Sequence, residues 1–141
     1  MAIGNILVQN ATMIEKQIEN QIISYLRTIG AWVTKIQAGG LAKAYTNRKT
    51  GAVKVHRIHL AHRGVPDLLA CIDGKFVAIE VKKDAKEIAK WERTAKTDPR
   101  SLTQHIQQFA IREAGGLTCV VCSVEQLQET LKTMGLLPKR C

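Results

Sequence analysis

The chain holds 141 residues, 45% hydrophobic and 23% charged, which is the composition of one ordinary globular core rather than of a disordered chain or two domains. No stretch approaches the roughly 18 apolar residues of a membrane span, and Met1 to Met13 lacks the basic start of a signal peptide. Lysines and arginines number 21 against 12 acids, a formal net charge of +9, and a small domain this basic usually meets a polyanion.

From the N-terminus, residues 12–29 read as a helix. Ile14, Ile18, Ile22, Tyr25, Leu26 and Ile29 recur at helical spacing, Thr12 serves as N-cap and Gly30 ends the run. The apolar start over residues 1–11, with Ile3, Ile6, Leu7 and Val8, has no place in this order and reads as an arm that docks on or exchanges with a second copy. Ala31 to Gln37 reads as a strand, residues 38–51 as a basic loop between glycines, and Val53 to Leu60 as a further strand. Gly64-Val65-Pro66 forms a short turn, and its proline cannot donate to a sheet ladder.

Asp67 to Ile72 and Lys75 to Lys82 are two strands around Asp73-Gly74, the strongest short hairpin signal in the chain. Residues 84–97 are charged and read as helical or mobile until Asp98-Pro99 interrupts them. Ser101 or Leu102 to Ala114 reads as a helix closed by Gly115-Gly116, Leu117 to Ser123 as a buried strand, and Val124 to Met134 as a closing helix. The order predicts a single α/β domain with a mixed sheet flanked by helices.

Between Glu19 and Asp67 there is no acidic residue. The same stretch holds Lys35, Lys43, Arg48, Lys49, Arg57 and Arg63, along with Arg27 and Lys54. One sign of charge over so long a segment reads as a phosphate-facing surface, with those six as candidate DNA contacts. His56, His59 and His62 read as phosphate or solvent contacts, because no cysteine set accompanies them. Cys119 and Cys122 form a CxxC inside an apolar strand, where alternation sends the two sulfurs to opposite faces, so core packing is expected rather than zinc. With only 4 cysteines, widely spread, a disulfide scaffold is not expected and a reducing, cytoplasmic setting is. Trp32 and Trp91 could stack on bases, but core packing or a dimer contact is the expectation for both.

A two-residue turn at Asp73-Gly74 sets Ile72 opposite Lys75 and, by extension, Asp67 opposite Glu80. Lys82 lies two residues beyond Glu80 and shares its face. Two carboxylates directly opposed within apolar strands repel unless a cation lies between them, and a divalent ion such as Mg²⁺ takes oxygen ligands of this kind. Lys82 beside it could hold a water or meet developing charge on a phosphate.

Gly64-Val65-Pro66-Asp67 followed by Ile79-Glu80-Val81-Lys82 resembles the PD-(D/E)XK nuclease superfamily. More narrowly, the chain is similar to the stand-alone VRR-NUC domains of phages and bacteria. The likeness runs from about Glu15 to Glu125 and includes a helix acid, a glutamine helix ending in Ala-Gly-Gly, and Ser123-Val124-Glu125. It implies a restriction-endonuclease-like core, similar to archaeal Holliday-junction resolvases, that hydrolyses DNA phosphodiesters with Mg²⁺ or Mn²⁺ and no small-molecule cofactor. Asp67 and Glu80 would be metal ligands, with the backbone carbonyl of Val81, and Lys82 would position the attacking water. A glutamate of the first helix would complete the site; Glu19 is preferred over Glu15, one turn away. Gln104 matches the family's helix glutamine, with Gln107 and Gln108 as neighbours that could stand in for it. Residues 84–100 are an insertion relative to shorter relatives. The resemblance also implies branched DNA as substrate and a two-fold homodimer that cuts it twice. A nickase or flap-cutting enzyme, and a non-catalytic DNA-binding module, are the alternatives.

Overall fold

A computed structural model describes residues 2–36, 41–58 and 63–136 of the chain. The elements run α1 (Ala2–Thr28), β1 (Trp32–Lys35), β2 (Leu41–Thr46), β3 (Val53–Ile58), β4 (Leu68–Ile72), β5 (Lys75–Val81), α2 (Ala85–Arg93), α3 (Pro99–Glu113), β6 (Leu117–Val121) and α4 (Val124–Thr133). Four strands form one mixed sheet in the order β1-β4-β5-β6. β4 runs antiparallel to both of its neighbours, β1 and β5, and β6 lies parallel to β5. This is the α/β architecture expected from the sequence, a mixed sheet with flanking helices consistent with a restriction-endonuclease-like core.

The β4–β5 hairpin has the expected register, with Ile72 opposite Lys75 and Leu68 opposite Ile79. Its turn residues Asp73 and Gly74 both take positive φ, 49° and 78°, as the type I′ turn that matches strand twist demands. β5 is central, and its residues Val77 to Val81 are all buried. Val77, Ile79 and Val81 point into the main core with Ile22 and Leu26 of α1 and Leu127 and Leu131 of α4. By strand alternation Ala78 and Glu80 face the other way. One strand therefore packs the core with its odd positions and delivers a carboxylate with an even one.

α1 begins at Ala2, well before Thr12, so the expected arm continues the helix and Thr12 lies inside it rather than capping it. The side chains of Ile3, Ile6, Leu7 and Val8 lie outside the described residues, as do Gln37, His59, Leu60 and His62.

The basic segment expected to be a loop over residues 38–51 is a strand in its second part. β2 pairs antiparallel with β3 from Leu41↔Ile58 to Thr46↔Val53, forming a two-stranded ribbon apart from the main sheet. Asn47 builds its turn: its side-chain oxygen accepts from the Lys49 N–H at 2.9 Å, and its carbonyl accepts from the Gly51 N–H at 2.8 Å. This strand was hidden because Lys43 and two small alanines interrupt any apolar run between Leu41 and Thr46.

The charged segment after β5 is ordered. Asp84 caps α2 by accepting from the Glu87 N–H at 2.9 Å, and Asp98 caps α3 by accepting from the Ser101 N–H at 3.2 Å. Pro99 sits in the first turn, so α3 begins two residues before Ser101. Ser123 caps α4 in the same way, through the Gln126 N–H at 3.0 Å. No helix among the described residues is long and apolar enough to cross a membrane.

Candidate active site

Carboxylates from three parts of the chain converge at one end of the sheet. Asp67 lies in the bend just before β4, and its Oδ2 accepts from the Val81 N–H at 2.9 Å. That bond ties the two arms of the hairpin together beyond the last strand pair. Glu15 and Glu19 project from α1, one turn apart and so on the same side of the helix. Carboxylate oxygens of Glu15, Glu19 and Asp67 all lie within 4.8 Å of one another. Glu80 falls outside that group but is close enough to Asp67 for the two charges to interact.

These acids are neither dispersed nor solvated. Glu19 and Glu80 are 6% and 3% exposed. Burial, then the charge of Asp67, pushes the Glu80 carboxyl up to about 8, against the downward pull of the Lys82 ammonium. Burial and Asp67 likewise raise the Glu15 carboxyl. Glu80 Oε2 is buried with no hydrogen-bond partner. Glu19 Oε2 also lacks one, although the Lys35 ammonium stands 2.6 Å away, an ion-pair contact without hydrogen-bond alignment. Buried hard oxygen donors, some without partners, fit a divalent cation.

Lys82 lies at the end of β5. Its Nζ is 3.6 Å from Glu80 Oε1 and donates to Gln104 Oε1 at 3.3 Å. The Gln104 amide nitrogen donates to Glu80 Oε1 at 3.3 Å, and its oxygen also accepts from the Trp91 indole N–H at 2.7 Å. Gln104 and Gln108 are buried, whereas Gln107 is half-buried. Gln104 is therefore the glutamine that meets the acids. A cavity of about 650 Å³ opens above this floor. Lys16, Lys35, Lys83, Lys90 and Arg100 contribute to its walls.

The sequence reading centred the site on Asp67 and Glu80 and treated Glu15 and Glu19 as alternatives. The structure brings both helix acids to Asp67, since helical periodicity puts them on one side together. Val81 contributes its backbone N–H to Asp67. Lys35, read as a phosphate contact, is turned toward Glu19. Arg48, Lys49 and Arg63 are exposed. Lys43 and Arg57 face each other in the backbone of the β2–β3 ribbon only at one position's offset, since Lys43 pairs with His56 and Ala42 with Arg57. The side chains of Lys43, His56 and Arg57 lie outside the described residues.

Cys119 is a core residue, its thiol pushed up to about 12 by burial. Trp32 is 61% exposed, so of the two expectations for it, core packing or a dimer contact, core packing is not met. Sequence reasoning missed the role of Trp91. Its partner Gln104 sits on another helix, and only the chain path between α2 and α3 brings them together.

No family profile matches the chain, and no curated protein matches it. Among solved structures, one described as a VRR_NUC domain is similar at 22% identity, with a TM-score of 0.48, over 84% of this chain and 95% of that one.

Proposed function

We propose that the chain is a divalent-metal-dependent DNA endonuclease. The observation that carries this reading is the convergence of Glu15, Glu19 and Asp67, with Glu80 interacting with Asp67, next to a cavity that Glu15, Glu19, Glu80 and Lys82 line together with further lysines and an arginine. Four acids collected there would repel one another without a cation, and their oxygens are the donors that Mg²⁺ or Mn²⁺ prefers. When bound, the metal supplies Lewis acidity, lowering the pKa of a coordinated water and neutralising charge on a phosphate.

The rest of the chemistry falls to side chains. Glu15, Glu19, Asp67 and Glu80 hold the metal. The Lys82 ammonium has three donors and no acceptor, so it can orient a water or meet charge on a phosphate oxygen, but it cannot ligate while protonated. Gln104 holds Lys82 and Glu80 at fixed separation. Lys16, Lys83, Lys90 and Arg100 attract the sugar–phosphate backbone into the cavity.

The substrate in this reading is branched DNA, with a Holliday junction as the leading case, and the products carry a 5′-phosphate and a 3′-hydroxyl. The sequence motifs support this, as does the lack of a base-reading module among the described elements. Two matched cuts on one junction call for a two-fold homodimer. The test is cleavage of labelled Holliday junctions, flaps, nicked duplex and plain duplex, each with Mg²⁺, Mn²⁺ or chelator. Metal-dependent cleavage with preference for the junction is expected. Flap or nick preference would reassign the substrate, and metal-independent binding with no cleavage would make the chain a DNA-binding module.

A further inference from the structure

The insertion helix α2 does more than wall the cavity. Trp91, on its last turn, is 8% exposed and aims its indole N–H at Gln104 Oε1, 2.7 Å away. The ring stacks on His105 with centroids 3.6 Å apart and planes 17° from parallel. His105 in turn is tied through Nδ1 to the Ser101 carbonyl at 2.7 Å. Trp91 is thus held on α3 by stacking, with its one polar atom spent on Gln104.

A side-chain amide can be turned end for end, and its two orientations present opposite chemistry. An indole N–H only donates, and so does an ammonium. With both Trp91 and Lys82 directed at it, the end of Gln104 facing them must be the oxygen. The amide nitrogen is then left to donate to Glu80 Oε1 at 3.3 Å. The shortest of the three contacts is the one from Trp91. The Lys82 Nζ also lies 6.0 Å from the Trp91 ring centroid, within cation–π range.

Resting on the nuclease reading above, we infer that Trp91 is a positioning residue. Its indole N–H fixes the Gln104 amide so that oxygen meets Lys82 and nitrogen meets Glu80. The insertion thereby sets where the Lys82 ammonium stands over the reacting phosphate. Trp91 acts on Lys82 and Glu80 through Gln104.

Trp91→Phe keeps the ring and removes the N–H. On the full chain it should lower single-turnover cleavage roughly five- to tenfold, as loss of one hydrogen bond would, and leave the KM for DNA unchanged. In a Gln104→Ala background the same change should cost nothing further, because the route through Gln104 is already gone. Equal losses in both backgrounds would overturn the inference.

A second measurement does not depend on cleavage. In the metal-free protein the Trp91 indole proton should exchange with solvent more slowly than that of exposed Trp32, and Gln104→Ala should speed Trp91 exchange while leaving Trp32 alone. An unchanged Trp91 rate would also overturn it. Asp67→Asn separates the two readings. If that variant still cuts at the wild-type rate, the nuclease site is wrong, whereas a dead Asp67→Asn beside a fully active Trp91→Phe refutes only the role of Trp91.

Discussion

A β-carbon placed on Gly64 would stand 2.6 Å from both the carbonyl carbon and the carbonyl oxygen of Thr103. Gly64 also holds φ at +82°, a conformation that costs other residues strain. Thr103 immediately precedes Gln104, and Gly64 leads into Asp67, so this contact registers the Asp67 bend against the glutamine helix. Gly64→Ala should destabilise the protein by about 2–3 kcal/mol, since neither backbone can yield cheaply. Urea denaturation checks the stability. Cleavage under conditions where the variant remains folded should fall as well, because Asp67 and Gln104 move apart together.

Asp67→Asn should abolish cleavage and leave DNA binding largely intact, since surface lysines and arginines supply the affinity. Lys82→Ala should slow cleavage yet leave metal binding in place, because an ammonium is not a ligand. Isothermal titration with Mn²⁺, run beside the cleavage assay, separates the two behaviours. Loss of Mn²⁺ binding in Lys82→Ala would contradict the division of roles.

Both helix acids should matter. Glu19→Gln removes a buried carboxylate at the centre of the cluster and leaves Lys35 without its partner; a drop of about 100-fold is expected, in the range typical for disrupted metal sites. Glu15 is half-buried at the edge, and Glu15→Gln should cost about tenfold. Single-turnover rates at saturating Mg²⁺ decide the order, and the reverse order would make Glu15 the principal helix ligand.

Glu80 gives the metal-free protein a distinctive pH dependence. Its carboxyl is raised from its ordinary 4.5 to about 8 in the fold by burial and by Asp67 and Glu15, with Lys82 opposing them. The native state therefore keeps a proton that the unfolded chain has released. The stability from neutral Glu80 is full below about pH 4.5, declines as pH rises toward about 8, and then levels off. Urea midpoints in chelator at about pH 5, 7 and 9 should follow that course, and Glu80→Gln should flatten it. Metal binding at neutral pH should release a proton, read as a buffer-dependent binding enthalpy, and should tighten toward pH 8.

The hairpin was legible from sequence because Asp73-Gly74 fixes a period-two register, and that register carries Asp67 and Glu80 to one face. The helix acids were legible only as alternatives: a spacing of four says that Glu15 and Glu19 share a side, but not that both reach Asp67. Of the β2–β3 ribbon, β3 was legible as a strand, whereas β2 was hidden because Leu41 to Thr46 shows no clear apolar run or alternation. Trp91 was hidden for a different reason. Its hydrogen bond depends on how the chain turns between α2 and α3, a tertiary angle that no local pattern encodes.

Two of the acids ride on α1, one on the bend before β4, and one on β5. No single helix, hairpin or other local unit of the chain contains the cluster, so it comes into being only when the first helix docks on the completed sheet. A partly unfolded chain holds every residue of the cluster without bringing them together. Under the nuclease reading, the capacity to break a phosphodiester would arrive with the finished fold and leave with it.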